Sequence, residues 1–287
     1  MFLAYCEKIQ KSEEKSVQQK ITSFLKTVST FCIAEFVIYP CSLFRTRACS
    51  YPRQKGQYPL ALANKKVFFG YSIAFQKTFF TFYLRSLIFQ IYSTNPRMIS
   101  TKRFLSKRNE AGLIAGFFTG ILLNLWNVAL IKSKCTPFQT DLKNAKFWVV
   151  LKEIKQKNTT KSNFSLLKTG FFSFVLTQTL QGILEIQLFM KLNERYPEKT
   201  MRCLMGTSLV TTIFISPMEF MNIRYVLRKL KGLETPNFLR YCFLLAKKEG
   251  RTSFYHGAHL NFIRHFLFSF IIYKSLRSSY QINGKCN

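Results

Sequence analysis

Tyr39-Pro40-Cys41-Ser42-Leu43-Phe44-Arg45-Thr46-Arg47 ends a long apolar run and leads into a basic stretch. Two later stretches follow the same plan: Trp126-Asn127-Val128-Ala129-Leu130-Ile131-Lys132-Ser133-Lys134 and Ser216-Pro217-Met218-Glu219-Phe220-Met221-Asn222-Ile223-Arg224. After each comes a polar segment, then a glycine (Gly70, Gly170 or Gly257) that opens a second apolar run. A unit that recurs along the chain decides the architecture before any single residue is interpreted. The chain reads as all-helical: three helix–polar segment–helix repeats, 21–108, 109–199 and 200–287, behind a polar N-terminal segment, 1–20.

Composition narrows the class. The 287 residues are 48% hydrophobic and include 31 Phe, yet the formal net charge is +30. A nucleic-acid binder can be this basic, but it would not carry this much Phe, so nucleic acid is not expected as a partner. A multi-pass membrane protein with basic loops explains both properties together. Six apolar segments lie near 25–44, 68–92, 111–131, 171–190, 203–223 and 258–273. Several reach the roughly 20 residues that a bilayer-spanning helix needs. Only Ala111 to Ile131 is free of charge throughout, so ionisable groups in the others must face protein or water rather than lipid.

Other chemistry is sparse. The start, Met1 to Lys20, alternates Glu7, Glu13 and Glu14 with Lys8, Lys11 and Lys15, and resembles no cleavable signal; import by internal signals is the expectation. The eight cysteines include no Cys-x-x-Cys pair and read as free thiols serving as small hydrophobes. His256, His259 and His265 have no acidic or cysteine neighbours in sequence, so no metal is expected. Paired catalytic carboxylates, a nucleophile with its base, and a phosphate-cradling loop are all missing, which argues against an enzyme.

The spacing of proline, acid, base and later glycine resembles the mitochondrial carrier family over about residues 20–285. The sharpest passage is Lys247-Lys248-Glu249-Gly250-Arg251-Thr252-Ser253-Phe254-Tyr255-His256-Gly257, followed by Leu260-Asn261-Phe262-Ile263-Arg264. The resemblance implies six tilted transmembrane helices around a pseudo-threefold axis, a water-filled cavity between them, and short matrix surface helices. It also implies a place in the mitochondrial inner membrane. Pro40 and Pro217 are expected to kink their helices, whereas Asn127 stands at the third such position. Repeat 1 departs from the pattern: the interval from Pro40 to Gly70 is about ten residues shorter than its counterparts.

In that family, acids and bases on the odd helices form a matrix-side ring of ion pairs. Here the acid positions hold Ser42, Ala129 and Glu219, and the base positions hold Arg45, Lys132 and Asn222. The implied pairs are Ser42 with Lys132, Ala129 with Asn222, and Glu219 with Arg45. The last alone can be ionic. An unpaired Glu219 at membrane depth would cost roughly 2.5–3.5 kcal/mol or more, which motivates its partnership with Arg45 as a clamp or as a gate. The opposite, cytoplasmic gate falls on Gln90, Met190 and Arg277 at the acid positions and Ser93, Asn193 and Tyr280 at the base positions. No acid remains there, although Phe89 and Phe189 keep the aromatic position.

Cavity positions are better populated. Lys77, Thr177 and Arg264 lie seven residues after the three glycines, Arg85 and Glu185 lie further along, and Glu35 precedes Pro40. This set would suit a small anionic or zwitterionic metabolite, or else pair internally, Glu185 with Arg85, to hold the bundle. The stretch Ile213–Arg224 lacks the arginine-rich signature that the resemblance would require for adenine nucleotides. Gly70, Gly170 and Tyr255-His256-Gly257 open even helices, where the resemblance implies bound cardiolipin. No other cofactor is expected. The basic linker Arg97 to Arg108 suits anionic lipid or an acidic neighbour. Lost gate charges beside intact helix spacing favour a structural or accessory subunit of an inner-membrane assembly, such as a respiratory complex. An active, divergent solute carrier is the alternative.

Overall fold

The computed structural model describes residues 17–50, 70–94, 107–135, 146–157, 168–184 and 188–284; side chains at several outer helix ends lie outside that description. Helices follow the apolar runs, and the described residues contain no strand. In chain order they are α1 (Val17–Ser50), α2 (Tyr71–Thr94), α3 (Lys107–Cys135), α4 (Phe147–Lys157), α5 (Phe171–Ile183), α6 (Phe189–Arg195), α7 (Thr200–Leu230), α8 (Phe238–Glu249) and α9 (Ala258–Gly284). Short 3-10 turns stand at Pro197–Lys199 and Arg251–Tyr255. Pro40 lies inside α1 and Pro217 inside α7, and Asn127 lies within the unbroken α3.

Six long elements close on themselves. α1 packs on α2, α2 on α3, α3 on α5, α5 on α7, α7 on α9, and α9 returns to α1. The short amphipathic helices α4 and α8 pack on α3 and α7. Around the ring the usual distribution of polarity is reversed. Ile33 and Phe36 of α1, Tyr83 of α2, Phe117 and Leu122 of α3, Phe172 of α5, and Leu209 and Phe214 of α7 are exposed on its outside. Glu35, Arg45, Asn124, Asn127, Lys134 and Asn261 are buried. Among the described residues two helical stretches, Gly112–Cys135 and Thr200–Leu230, are long and apolar enough to cross a membrane; they are the third and fifth of the expected spans.

An apolar floor holds one end of the ring. Tyr39 and Leu43 (α1), Ile73 (α2), Val128 and Ala129 (α3), Phe147 and Val150 (α4), Phe220 and Val226 (α7) and Tyr241 (α8) form one buried cluster. Each large side chain fully buried there contributes about 1.5–3 kcal/mol, so this end, rather than the polar interior above it, stabilises the closed ring.

Glycine sets two further features. Gly116 and Gly120 on α3 face the backbone of Gln178 and Val175 on α5, and Gly182 faces the Gly112 carbonyl. Small residues at those points let the two helices approach closely. Gly70, Gly170 and Gly257 share one conformation, φ of +84°, +68° and +74°, which residues bearing a Cβ adopt only with strain. Each accepts the first backbone bond of its helix, from Ala74, Phe174 and Asn261 respectively. Each also meets the following odd helix in cyclic order. Gly70 touches Ser133 of α3, Gly170 touches Asn222 and Val226 of α7, and Gly257 touches Arg45 of α1.

Candidate functional site: a cationic cavity inside the helix ring

The ring encloses a cavity of about 260 Å³, lined by all six long elements. Helical periodicity selects the lining. α1 contributes Glu35, Ile38, Ser42, Arg45 and Thr46; α3 contributes Asn127, Leu130, Ile131 and Lys134; α7 contributes Glu219, Asn222 and Ile223 at its floor end. These intervals of three, four and seven residues mark one helical face. Among the described residues, five cations, Arg45, Lys77, Arg85, Lys134 and Arg264, share the space with two carboxylates, Glu35 and Glu219. Of these described side chains the surplus charge is positive.

At the floor, Glu219 is held from two sides. Arg45 of α1 donates to its Oε2, and Arg264 Nη2 of α9 donates to its Oε1 at 2.9 Å. Arg45 also reaches the Ser216 carbonyl at 3.3 Å. Arg264 Nη2 lies 3.2 Å from His265 Nε2, and because a guanidinium only donates, that ring nitrogen is the acceptor. One carboxylate thus ties α1, α7 and α9 together. The expected Glu219–Arg45 pair is present, and Arg264, expected in the cavity, is its second partner.

The other two expected pairs need correction. Ser42 meets Lys134, whose Nζ lies 2.5 Å from Ser42 Oγ, and not Lys132. Lys134 follows Asn127 by seven residues, two helical turns, so both face the cavity; Lys132 points elsewhere and is half-buried. Gly70, too, lies against Ser133, one residue beyond Lys132. Ala129 is fully buried in the apolar floor. Asn222 instead accepts at Oδ1 from Ser173 Oγ of α5, 2.7 Å away.

On the α2 and α3 wall, Lys77 Nζ donates to Asn127 Oδ1 at 3.0 Å and stands 4.8 Å above the Phe174 ring. Glu35 accepts from Thr78 Oγ1 at 2.9 Å. Arg85 Nη2 donates to both the backbone and the side-chain oxygen of Gln178, at 3.2 and 2.9 Å. Thr177 lines the cavity but bonds its own helix, at the Ser173 carbonyl. Five of the six expected cavity residues therefore converge: Glu35, Lys77, Arg85, Thr177 and Arg264. The sixth, Glu185, lies outside the described residues, and with it the proposed Glu185–Arg85 pair. Sequence reasoning missed Asn127, Lys134, Gln178 and His265 as lining. The recurrence of polar residues at Asn127 and Lys134, two turns apart in an apolar helix, was the available signal.

The side chains of Gln90, Ser93, Met190, Arg277 and Tyr280, like those of Phe89 and Phe189, lie outside the described residues. Asn193 of α6 is half-buried, and its Oδ1 has no hydrogen-bond partner among the described residues. Most of the linker from Arg97 to Arg108, the segment between Pro40's helix and Gly70, and the first 16 residues also fall outside. Of the even-helix openings, Tyr255 is half-exposed, His256 accepts at its carbonyl from Cys49 Sγ at 3.5 Å, and Gly257 packs on Arg45 and Ala48. The chain matches no family model and no curated protein.

Proposed function

We propose that the chain is a multi-pass protein of the carrier type, resident in the mitochondrial inner membrane, whose central cavity binds a small anionic metabolite. The observation that carries this reading is the cavity itself: among the described residues, five cations against two carboxylates, inside a ring whose outer surface is apolar. Buried charges are costly unless they are paired or used, and here the ammonium groups of Lys77 and Lys134 donate to the neutral oxygens of Asn127 and Ser42. At about 260 Å³ the space lies just below the ~300–1,000 Å³ typical of drug-sized ligands, so the solute is small. Carrier resemblance in the repeats supplies the membrane, the cardiolipin at Gly70, Gly170 and Gly257, and alternating access.

The test is uptake by vesicles containing the purified chain. Saturable uptake or exchange of small anions, lost in Lys77→Ala and weakened at least tenfold in Arg85→Gln, is the expected result. A second reading, an accessory subunit of a larger inner-membrane assembly, is favoured by the Arg45–Glu219–Arg264 cluster, which ties three helices as a permanent clamp would. Absence of binding and exchange, with co-purification at fixed stoichiometry in a larger complex, would replace the first reading by the second.

A further inference from the structure

The two sides of the cavity differ. In ring order α2 and α3 stand across from α7 and α9. The first wall holds Lys77, Asn127 and Lys134; away from the Glu219 cluster, the second presents Leu204, Thr207, Phe268 and Ser269. Asn127 is only 5% exposed, and its Oδ1 is taken by Lys77, but its Nδ2 is buried without an acceptor among the described residues. An amide donor left unpaired in a buried site carries a desolvation penalty that a ligand acceptor would remove. Lys134 is 3% exposed, on the same face of α3, with its ammonium on Ser42 Oγ and 5.2 Å from the Tyr39 ring. An ammonium has three donors, so both lysines keep capacity beyond these contacts.

We propose that Asn127 Nδ2, Lys77 and Lys134 form an oxyanion-head subsite, so that the solute is an asymmetric molecule with a carboxylate or phosphate at one end and an uncharged body against Leu204, Thr207 and Phe268. This rests on the anion-binding reading above and adds which wall does the recognising. Asn127 is the specificity residue: it stands where the other two repeats place proline, and it turns a helix position into a donor for the ligand.

The experiment is equilibrium binding to the full chain in lipid nanodiscs, with inorganic phosphate, butyl phosphate and butyrate as probes. Butyl phosphate should bind at least fivefold more tightly than inorganic phosphate, because its tail meets the uncharged wall. Asn127→Asp keeps an acceptor for Lys77 but removes the free donor, and should weaken butyl phosphate at least tenfold. Arg240→Gln makes the same change of net charge at an exposed position of α8, outside the cavity, and should weaken it less than threefold. Asn127→Leu, which adds no charge, should still cost at least threefold and stands in if the aspartate variant fails to fold. A preference for butyrate over butyl phosphate would identify a carboxylate head, and the reverse a phosphate head; either supports the subsite. Equal losses in Asn127→Asp and Arg240→Gln, or an unchanged Asn127→Leu, would overturn it while leaving the anion cavity standing. No binding of any probe to the unaltered chain would remove both.

Discussion

Gly116 of α3 lies against Gln178 of α5 so closely that a Cβ at Gly116 would stand 2.7 Å from the Gln178 carbonyl oxygen. Backbone cannot give way as a flexible side chain can. Gly116→Ala should therefore destabilise the protein by about 1–3 kcal/mol, the usual cost of overpacking. Gly206→Ala in α7 is the control: its nearest neighbour would be Leu192 Cδ1 at 4.0 Å, and alanine there gains up to ~1 kcal/mol of helix propensity. Thermal unfolding in detergent should move the two variants in opposite directions.

Positive φ and crowding separate at a second pair of glycines. A Cβ on Gly170 would meet Val226 Cγ2 at 2.5 Å and Asn222 Oδ1 at 2.7 Å, whereas one on Gly232, with φ +72°, meets nothing within 4 Å. Gly232→Ala should cost only the left-handed strain, about 1–2 kcal/mol. Gly170→Ala should cost that and a further ~1–3 kcal/mol of overpacking. Equal melting temperatures for the two variants would refute the packing described for Gly170.

Removing Glu219 leaves two arginines facing each other at the cavity floor. Arg45 has a side chain 3% exposed and Glu219 one of 17%, so Glu219→Gln should cost about 3 kcal/mol, the lower end for a broken buried pair. Replacing the whole cluster, Arg45→Met with Glu219→Leu and Arg264→Met, should be less destabilising than Glu219→Gln alone, because no uncompensated charge remains. Chemical denaturation of the two variants side by side decides this.

Burial on α8 pushes the Cys242 thiol up to about 11 from its ordinary value of 9.0, and burial likewise raises the Tyr241 hydroxyl. The thiolate is the reactive form. In a variant keeping Cys242 as its sole cysteine, maleimide labelling at pH 7.5 should run about a hundredfold slower than for an unperturbed thiol. It should quicken about tenfold per pH unit up to pH 10. The sign for stability follows: the unfolded thiol ionises first, so the fold loses stability as pH rises from 9.0 to about 11.

Much of the arrangement was legible because it rests on spacing. The apolar runs gave the helices, and the glycines gave their starts. The acid–base interval picked out Glu219 with Arg45, and counting from Gly70 and Gly257 reached Lys77 and Arg264. Errors concentrate on α3. Aligning Asn127 with Pro40 and Pro217 carries Lys132 onto Arg45, but a repeat alignment fixes sequence register and not rotation about the helix axis. Gly116, Gly120 and Gly182 bring α3 unusually near α5, and the face it turns inward runs through Asn127, Leu130, Ile131 and Lys134. Motif counting has no access to that rotation. Nor could it find Arg264 as a second ligand of Glu219, since the two lie on different helices with no local pattern linking them.

Arg45 and its carboxylate are 174 positions apart in the chain. During synthesis the guanidinium emerges long before the carboxylate it pairs with, and a cation without its counter-charge is held in water rather than in an apolar surrounding. The opening helix therefore settles into its final seat only after Glu219 has been made, and closure of the ring belongs to the last steps of assembly.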